Sequence, residues 1–181
     1  MPESGDVIRG YLQAAIAAET SVETQFRAFA QEGDDEEVRA SFAEHADETR
    51  RQYDRLNSHL GQLGGASSFH FKSALPDIFS LVPELSQSSH TPEERIAHNL
   101  IVGFAVTTSR CAMYEALAAI TEAAGVTATA SLAREIQAQK RRAAEHIWRF
   151  LPSRSKIAFN MLTAGEIDPS IETRAMVDRI V

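Results

Sequence analysis

Residues 7–30 read VIRGYLQAAIAAETSVETQFRAFA, and this stretch determines the fold of the chain. Its inward positions recur in alternating steps of four and three residues, the spacing of one face of a helix packed in a bundle. These positions are Ile8, Leu12, Ala15, Glu19, Val22, Phe26 and Phe29. One of them is a glutamate, so the stretch that predicts a bundle helix also puts a carboxylate on its apolar face.

A second helix follows closely and forms a hairpin with the first. Gly33 ends the first helix, predicted over residues 6–32, and Asp34 or Asp35 caps the second, predicted over residues 35–61. Because the connection is short, the two helices are expected to lie antiparallel. The inward stripe of the second helix comprises Phe42, His45, Thr49, Gln52, Leu56 and Leu60.

A second hairpin is predicted after a connection over residues 66–90. Thr91 caps its first helix, with Pro92 at the first helical position, and that helix ends at Ala124 before Gly125. Its inward stripe is Gly103, Val106, Arg110, Met113, Leu117 and Ile120. The last bundle helix is predicted from Thr127 or Thr129 to Leu151 and Pro152, with the stripe Leu132, Ile136, Gln139, Ala143, His146 or Ile147, and Phe150.

This order of elements predicts an all-α, ferritin-like four-helix bundle made of two antiparallel hairpins joined by a long crossover. We expect one domain over residues 1–181, with the bundle in about 6–151 and a C-terminal extension of short helices in about 152–181. The extension is apolar, with Ile157, Phe159, Met161 and Leu162 near its start, so self-association, most simply as a homodimer, is expected. The same residues could instead fold back onto their own bundle.

Composition excludes several other classes of protein. The formal net charge of −7 argues against nucleic-acid binding, which needs a basic surface. No apolar run approaches the ~20 residues of a membrane span. The acidic N-terminus MPESGDVIRG lacks the order of a signal peptide, and the single cysteine, Cys111, excludes an internal disulfide. We therefore expect a cytoplasmic protein that binds neither nucleic acid nor membrane.

Three polar residues of the first hairpin are candidate metal ligands. Glu19 and Glu48 lie equally far in sequence from a turn centred between Gly33 and Asp34, and His45 lies one turn from Glu48. A buried carboxylate pair needs a cation between its members, and Glu and His are the ligands of di-iron and di-manganese bundles. The alternative is a pair of exposed or hydrogen-bonded glutamates with no metal.

The second hairpin lacks the matching carboxylates. At the corresponding levels it carries Arg110 and Gln139, and a guanidinium cannot bind a metal. We therefore hypothesise that Arg110 replaces the metal and pairs with Glu19 and Glu48. Glu115, Gln139 and His146 are the remaining candidates for completing a ligand shell.

Other reactive or charged residues of the second hairpin have simpler interpretations. Tyr114 is expected to be a core tyrosine with a hydrogen-bonded hydroxyl, or else a redox tyrosine. Cys111 is expected to be a small buried side chain, whose pKa the neighbouring Arg110 could lower. The run Lys140, Arg141, Arg142 is expected to form a solvated helix face.

The first hairpin resembles the YciE/YciF family of bacterial ferritin-like proteins. The residues that carry the resemblance are Ala18, Glu19, Phe42, His45, Glu48, Thr49, Gln52, Arg55, Leu56, Leu63 and Gly64. Tyr114, Leu117 and Gly125 extend it more loosely into the second hairpin, where the family usually has glutamates at the places of Thr107, Arg110 and Gln139. The resemblance implies a cytoplasmic bundle, often dimeric and linked to stress responses, but supplies no substrate.

Two classes of function follow from the sequence. The first is a non-catalytic, stress-associated bundle whose former metal site is an internal ion-pair network with no cofactor. The second is an iron or manganese protein acting on iron, peroxide or oxygen, with Glu19, His45 and Glu48 as ligands. The residues at positions 110 and 139 discriminate between them, because carboxylates there would complete the metal site.

Overall fold

The computed structural model describes residues 3–68 and 91–164 of the chain. They form four helices and no strand: α1 (Ser4–Phe29), α2 (Glu36–Gln62), α3 (Pro92–Ala123) and α4 (Thr127–Thr163). The predicted all-α four-helix bundle is confirmed. The predicted crossover falls largely in residues 69–90, and the last predicted helix in residues 168–181, so both lie outside the described residues.

Local capping explains where the helices begin and end. Asp35 accepts a hydrogen bond from the Val38 amide at 3.0 Å, and the Thr91 hydroxyl accepts one from the Glu94 amide at 3.1 Å. Gly125, just after α3, has a φ of 72°, a left-handed conformation that glycine adopts without a steric penalty. The turn and cap residues therefore set the hairpins as the sequence predicts.

The helices pack side by side in the pairs α1–α2, α3–α4, α1–α3 and α2–α4. As a result, α1 and α4 face each other diagonally across the bundle axis. A side chain that joins α1 to α4 must therefore pass through the centre of the molecule. In the described ranges, every helix falls short of the combined length and apolar character that crossing a membrane requires.

In the described part of the chain, the apolar core is divided into two clusters along the bundle. One cluster lies near the α1–α2 turn and includes Phe26, Phe29, Phe42, Leu100 and Phe150. The other lies towards the opposite end and includes Leu12, Leu56, Tyr114, Leu117 and Ile136. Buried polar side chains occupy the layer between them, and this layer contains the candidate site.

The predicted end of α4 is wrong. The helix does not stop at Pro152 but continues through it to Thr163, so residues 152–163 are not a separate segment. The Arg154 guanidinium binds the Asp35 carboxylate at 2.7 Å and the Glu37 carboxylate at 2.7 Å. These ion pairs hold the continued helix against the start of α2, and they help to offset the backbone hydrogen bond that Pro152 cannot donate.

Candidate functional site

Glu19 of α1 lies at the middle of the polar layer. Its side chain has no solvent exposure, because the stripe that buries Leu12 and Phe26 on either side of it also turns Glu19 towards the axis. A carboxylate in this position requires hydrogen-bond donors or a cation to offset the loss of hydration. The structure provides both.

Lys140 of α4 supplies the cation. Its Nζ atom lies 2.6 Å from Oε2 of Glu19 and donates a second hydrogen bond, 3.3 Å long, to the Thr49 hydroxyl. Only 3% of the Lys140 residue is exposed. The ion pair crosses the bundle diagonally and links the first helix to the last.

Tyr114 of α3 binds the other oxygen of the same carboxylate. Its hydroxyl donates to Oε1 of Glu19 over 2.8 Å. Burial, reinforced by the charge of Glu19, raises the pKa of Tyr114 well above its ordinary value. The phenol therefore stays neutral and serves as a donor, as expected of a core tyrosine.

Arg110 lies in the same layer and is 1% exposed. Burial lowers the pKa of Arg110, while the negative charge of Glu19 raises it and so favours the guanidinium. The inward position predicted for Arg110 is thus observed. Among the described residues, the layer contains the buried cationic side chains of Arg110 and Lys140 and the buried carboxylate of Glu19.

His45 and His146 meet at the edge of the layer near the first cluster. Their ring centroids are 5.3 Å apart, and the two rings are close to perpendicular. Neither ring nitrogen of His45 has a hydrogen-bond partner among the described residues, whereas Nδ1 of His146 lies 3.5 Å from the Ser41 hydroxyl. Burial, followed by the charges of His146 and Lys140, lowers the pKa of His45 from 6.5 to about 4.

The other predicted site residues do not join Glu19. Glu48 is half-buried and forms no hydrogen bond or ion pair with any described residue, and Thr49 takes the position facing the axis. Gln139 is half-buried and accepts a hydrogen bond from Gln52 at 2.9 Å. Glu115 is exposed and pairs with Arg134 at 2.6 Å.

Two expectations for the second hairpin are wrong. The first is that Lys140 is solvated: Arg141 and Arg142 are exposed, but Lys140 is buried because its helix position turns it towards Glu19. The second concerns Cys111, whose thiol is half-buried. Burial raises the pKa of Cys111 and outweighs the opposing charges of Arg141 and Lys140.

These residues do not fit a dimetal centre. Within residues 3–68 and 91–164, no group of three or more His, Cys, Asp or Glu side chains is placed to hold a metal ion. Around Glu19, the neighbours are an ammonium group, a phenol and a guanidinium. An ammonium or guanidinium group is a donor with no free lone pair, so neither can act as a ligand.

Residues 6–158 match the family model described as Domain of unknown function (DUF892). No functionally curated protein matches the sequence. The E. coli stress protein YciF is 20% identical, with a TM-score of 0.69, over 90% of this chain and 99% of that one.

Two further solved structures have the same fold. YcfI from Rhodopseudomonas palustris is 17% identical, with a TM-score of 0.73, over 81% of this chain and 93% of that one. The dodecameric thioferritin of Bacteroides fragilis is 15% identical, with a TM-score of 0.63, over 87% of this chain and 92% of that one. The chain therefore belongs to the DUF892 family, the ferritin-like proteins of the YciF type.

Proposed function

We propose that the protein is a ferritin-like, stress-associated bundle that performs no metal chemistry at its centre. In this proposal, an ion-pair network of Glu19, Lys140, Tyr114 and Arg110 takes the place of a metal centre. The observation that carries the proposal is the 2.6 Å contact between the Lys140 ammonium and the Glu19 carboxylate.

Charge balance supports this assignment. The Glu19 carboxylate already has a cation on one oxygen and a phenol donor on the other. Arg110 adds a second positive charge to the same layer, so the buried charges of Glu19, Lys140 and Arg110 sum to a positive charge among the described residues. A divalent cation placed there would be repelled by both side chains, and each carboxylate oxygen would have to give up its donor.

The relatives support the biological part of the proposal. The E. coli relative is described as a stress protein, and the Bacteroides fragilis relative as a dodecamer. We extend to this chain a role in a bacterial stress response, a cytoplasmic location and self-association. A homodimer is the simplest form of that association.

The alternative is an iron or manganese protein, and one observation favours it. His45 is buried, its two ring nitrogens form no hydrogen bond within the part of the chain that the structure describes, and the centroid of the His146 ring lies 5.3 Å from its own. Low pKa keeps His45 neutral at pH 7, which is the form that binds metals. Glu19 and Glu48 would then have to bind the same ion, and the Lys140 side chain would have to move away from the Glu19 carboxylate.

Elemental analysis of the protein purified without chelator tests the proposal. We expect iron and manganese well below one ion per chain, before and after anaerobic incubation with Fe(II) or Mn(II). Addition of a chelator should leave the melting temperature unchanged, because no bound ion contributes to folding. Two ions per chain would contradict the proposal and establish the alternative.

A designed variant provides the positive comparison. Lys140→Glu combined with Arg110→Glu removes both buried cations and places two carboxylates beside Glu19. This variant should bind Fe(II) or Mn(II) and be stabilised by it, since a metal would neutralise the new carboxylates. The control is Arg141→Glu with Arg142→Glu, which changes the net charge equally on the exposed face and should gain no metal.

A further inference from the structure

The outer side of the second hairpin carries an aromatic groove between α3 and α4. Phe104 and Trp148 pack against each other at its centre, with ring centroids 5.0 Å apart. Trp148 is 56% exposed, and Ile101, one turn before Phe104 on α3, is 49% exposed. Ile101 lies outside the groove itself, whose lining beyond the aromatic pair is Thr108, Cys111, Arg141, Ala144, Glu145 and Arg149.

Charged side chains flank this aromatic pair in an alternating pattern. Arg141, Glu145 and Arg149 follow one another at four-residue intervals, so they lie on one face of α4. All three are exposed. Within the described ranges, none of the three forms an ion pair with another residue of the chain.

We propose that a second copy of the chain packs on this groove, with the two α4 helices antiparallel about a two-fold axis level with residue 147. Positions 145 and 149 are equally far from that axis in sequence. Arg149 of each copy therefore meets Glu145 of the other, and the two Trp148 rings meet beside the axis. The inference rests on the self-association proposed above and names its surface.

Charge complementarity favours a second copy of the chain as the partner that covers the groove. A two-fold interface brings a surface patch against itself, so the patch must contain both charges of each ion pair. Glu145 and Arg149 satisfy this condition on one helix face. An anion with an apolar chain would form ion pairs only with the arginines, and Glu145 would repel it. Tryptophan and arginine are also the side chains that most often dominate protein interfaces.

Sedimentation velocity over a range of concentrations tests the surface. The wild-type chain should form dimers, and Trp148→Ala should weaken dimerisation by about tenfold or more. Arg149→Glu alone and Glu145→Arg alone should each weaken it by a similar factor, because like charges then face each other. The double variant Arg149→Glu/Glu145→Arg should restore the dimer, since each ion pair is rebuilt with its charges exchanged.

Arg50→Glu is the matched control. It makes the same charge change at an exposed residue of α2, which pairs with Asp54 at 3.3 Å, and should leave dimerisation unchanged. Circular dichroism checks that every variant is folded. If the α4 substitutions leave dimerisation unchanged, or if the double variant stays dissociated, the dimer does not form through this groove. Self-association itself would still stand.

Two other results would exclude a dimer on this groove. A wild-type chain that is monomeric at every concentration would overturn both this inference and self-association, while the metal analysis would still test the bundle centre. A monomer whose Trp148 fluorescence responds saturably to dodecanoate, but not to dodecanol, would assign the groove to a small anion instead.

Discussion

At the scale of single residues, the energetics of the centre depend on Glu19. Glu19 and Lys140 are both buried, and each offsets the desolvation of the other. The loss of one charge does not have the same consequence as the loss of the other, however. Without Lys140, the carboxylate keeps the Tyr114 hydroxyl and the attraction of Arg110. Without the Glu19 charge, Lys140 loses its ion-pair partner and Arg110 loses the attraction of the same carboxylate.

This asymmetry predicts the order of two substitutions. Glu19→Gln should lower the free energy of unfolding by about 3 to 5 kcal/mol, the cost of breaking a buried pair from one side. Lys140→Met should cost less. Urea denaturation measures both. Glu135→Gln, in the exposed pair with Arg55, is the control and should change stability little. A larger loss for Lys140→Met than for Glu19→Gln would contradict this account.

His45 predicts a dependence of stability on pH. Its pKa is about 4 in the folded chain against 6.5 in the unfolded chain, so the unfolded chain binds more protons between these values. Stability should therefore fall as the pH drops from about 6.5 to 4, with about 3 kcal/mol attributable to this residue.

His45→Leu should remove that part of the dependence. At pH 7 the variant should be as stable as the wild type or more so, because the buried imidazole nitrogens have no hydrogen-bond partner in residues 3–68 and 91–164. Thermal unfolding of both proteins from pH 4 to pH 7 measures the difference. Parallel curves would show that His45 does not titrate as described.

The sequence predicted part of this site. Glu19 was placed on the axis because every other member of its stripe is apolar. Lys140 was missed because it stands in a run with Arg141 and Arg142, and a basic run is usually solvated. Its partner is 121 residues away in sequence, and no local pattern connects the two. Thr49 rather than Glu48 faces the axis, as the inward stripe of the second helix predicted. Level matching gives only the height of a residue along the bundle, and it could not show that Glu48 lies beside that stripe.

At the scale of elements, Asp35 performs two tasks. Its side chain caps α2 through the Val38 amide, and it also holds Arg154 of α4. Arg154 comes two residues after Pro152, whose missing N–H interrupts the hydrogen bonding of α4. The far end of α4 is therefore anchored to the beginning of α2. The sequence predicted that the helix ends at Pro152. It could not show the ion pair between Asp35 and Arg154, because the two residues lie far apart in sequence.

Two variants of Asp35 separate the cap from the anchor. Asp35→Ala removes both and should destabilise the protein by about 1 to 2 kcal/mol. Asp35→Asn keeps a cap oxygen and should cost less. In both variants, amide hydrogen exchange in residues 153–163 should accelerate, since Arg154 loses its main partner. Asp34→Ala, at the exposed neighbouring position, should leave that exchange unchanged. Equal exchange in all variants would argue against the anchor.

At the scale of the whole molecule, the two hairpins meet closely at Gly103. A Cβ atom added there would lie 2.8 Å from Cε1 of Phe42, a buried ring that also packs against Phe26 and Phe29. The inward position of Gly103 was predicted from the α3 stripe. The capping signals and apolar stripes predicted the architecture, because each of them lies within one helix or turn and can be recognised in the sequence. The polar layer could not be predicted in the same way, because it depends on contacts between the two hairpins.

Gly103→Ala should therefore destabilise the bundle, by about 1 to 3 kcal/mol, even though alanine favours helix. The control is Gly61→Ala, also in a helix, where an added Cβ meets no atom within 4 Å. That change should stabilise the protein by less than about 1 kcal/mol. Urea denaturation of both variants measures the contrast. Equal effects would show that the hairpins are free to separate.

The diagonal ion pair also has a consequence for biosynthesis. Glu19 leaves the ribosome 121 residues before Lys140, a delay of roughly 6 to 24 seconds at usual translation rates. During that interval the first hairpin can form, but the Glu19 carboxylate cannot yet pair with the Lys140 ammonium group. The nascent hairpin should therefore stay loosely packed around Glu19 until α4 emerges, so the last helix completes the fold of the first.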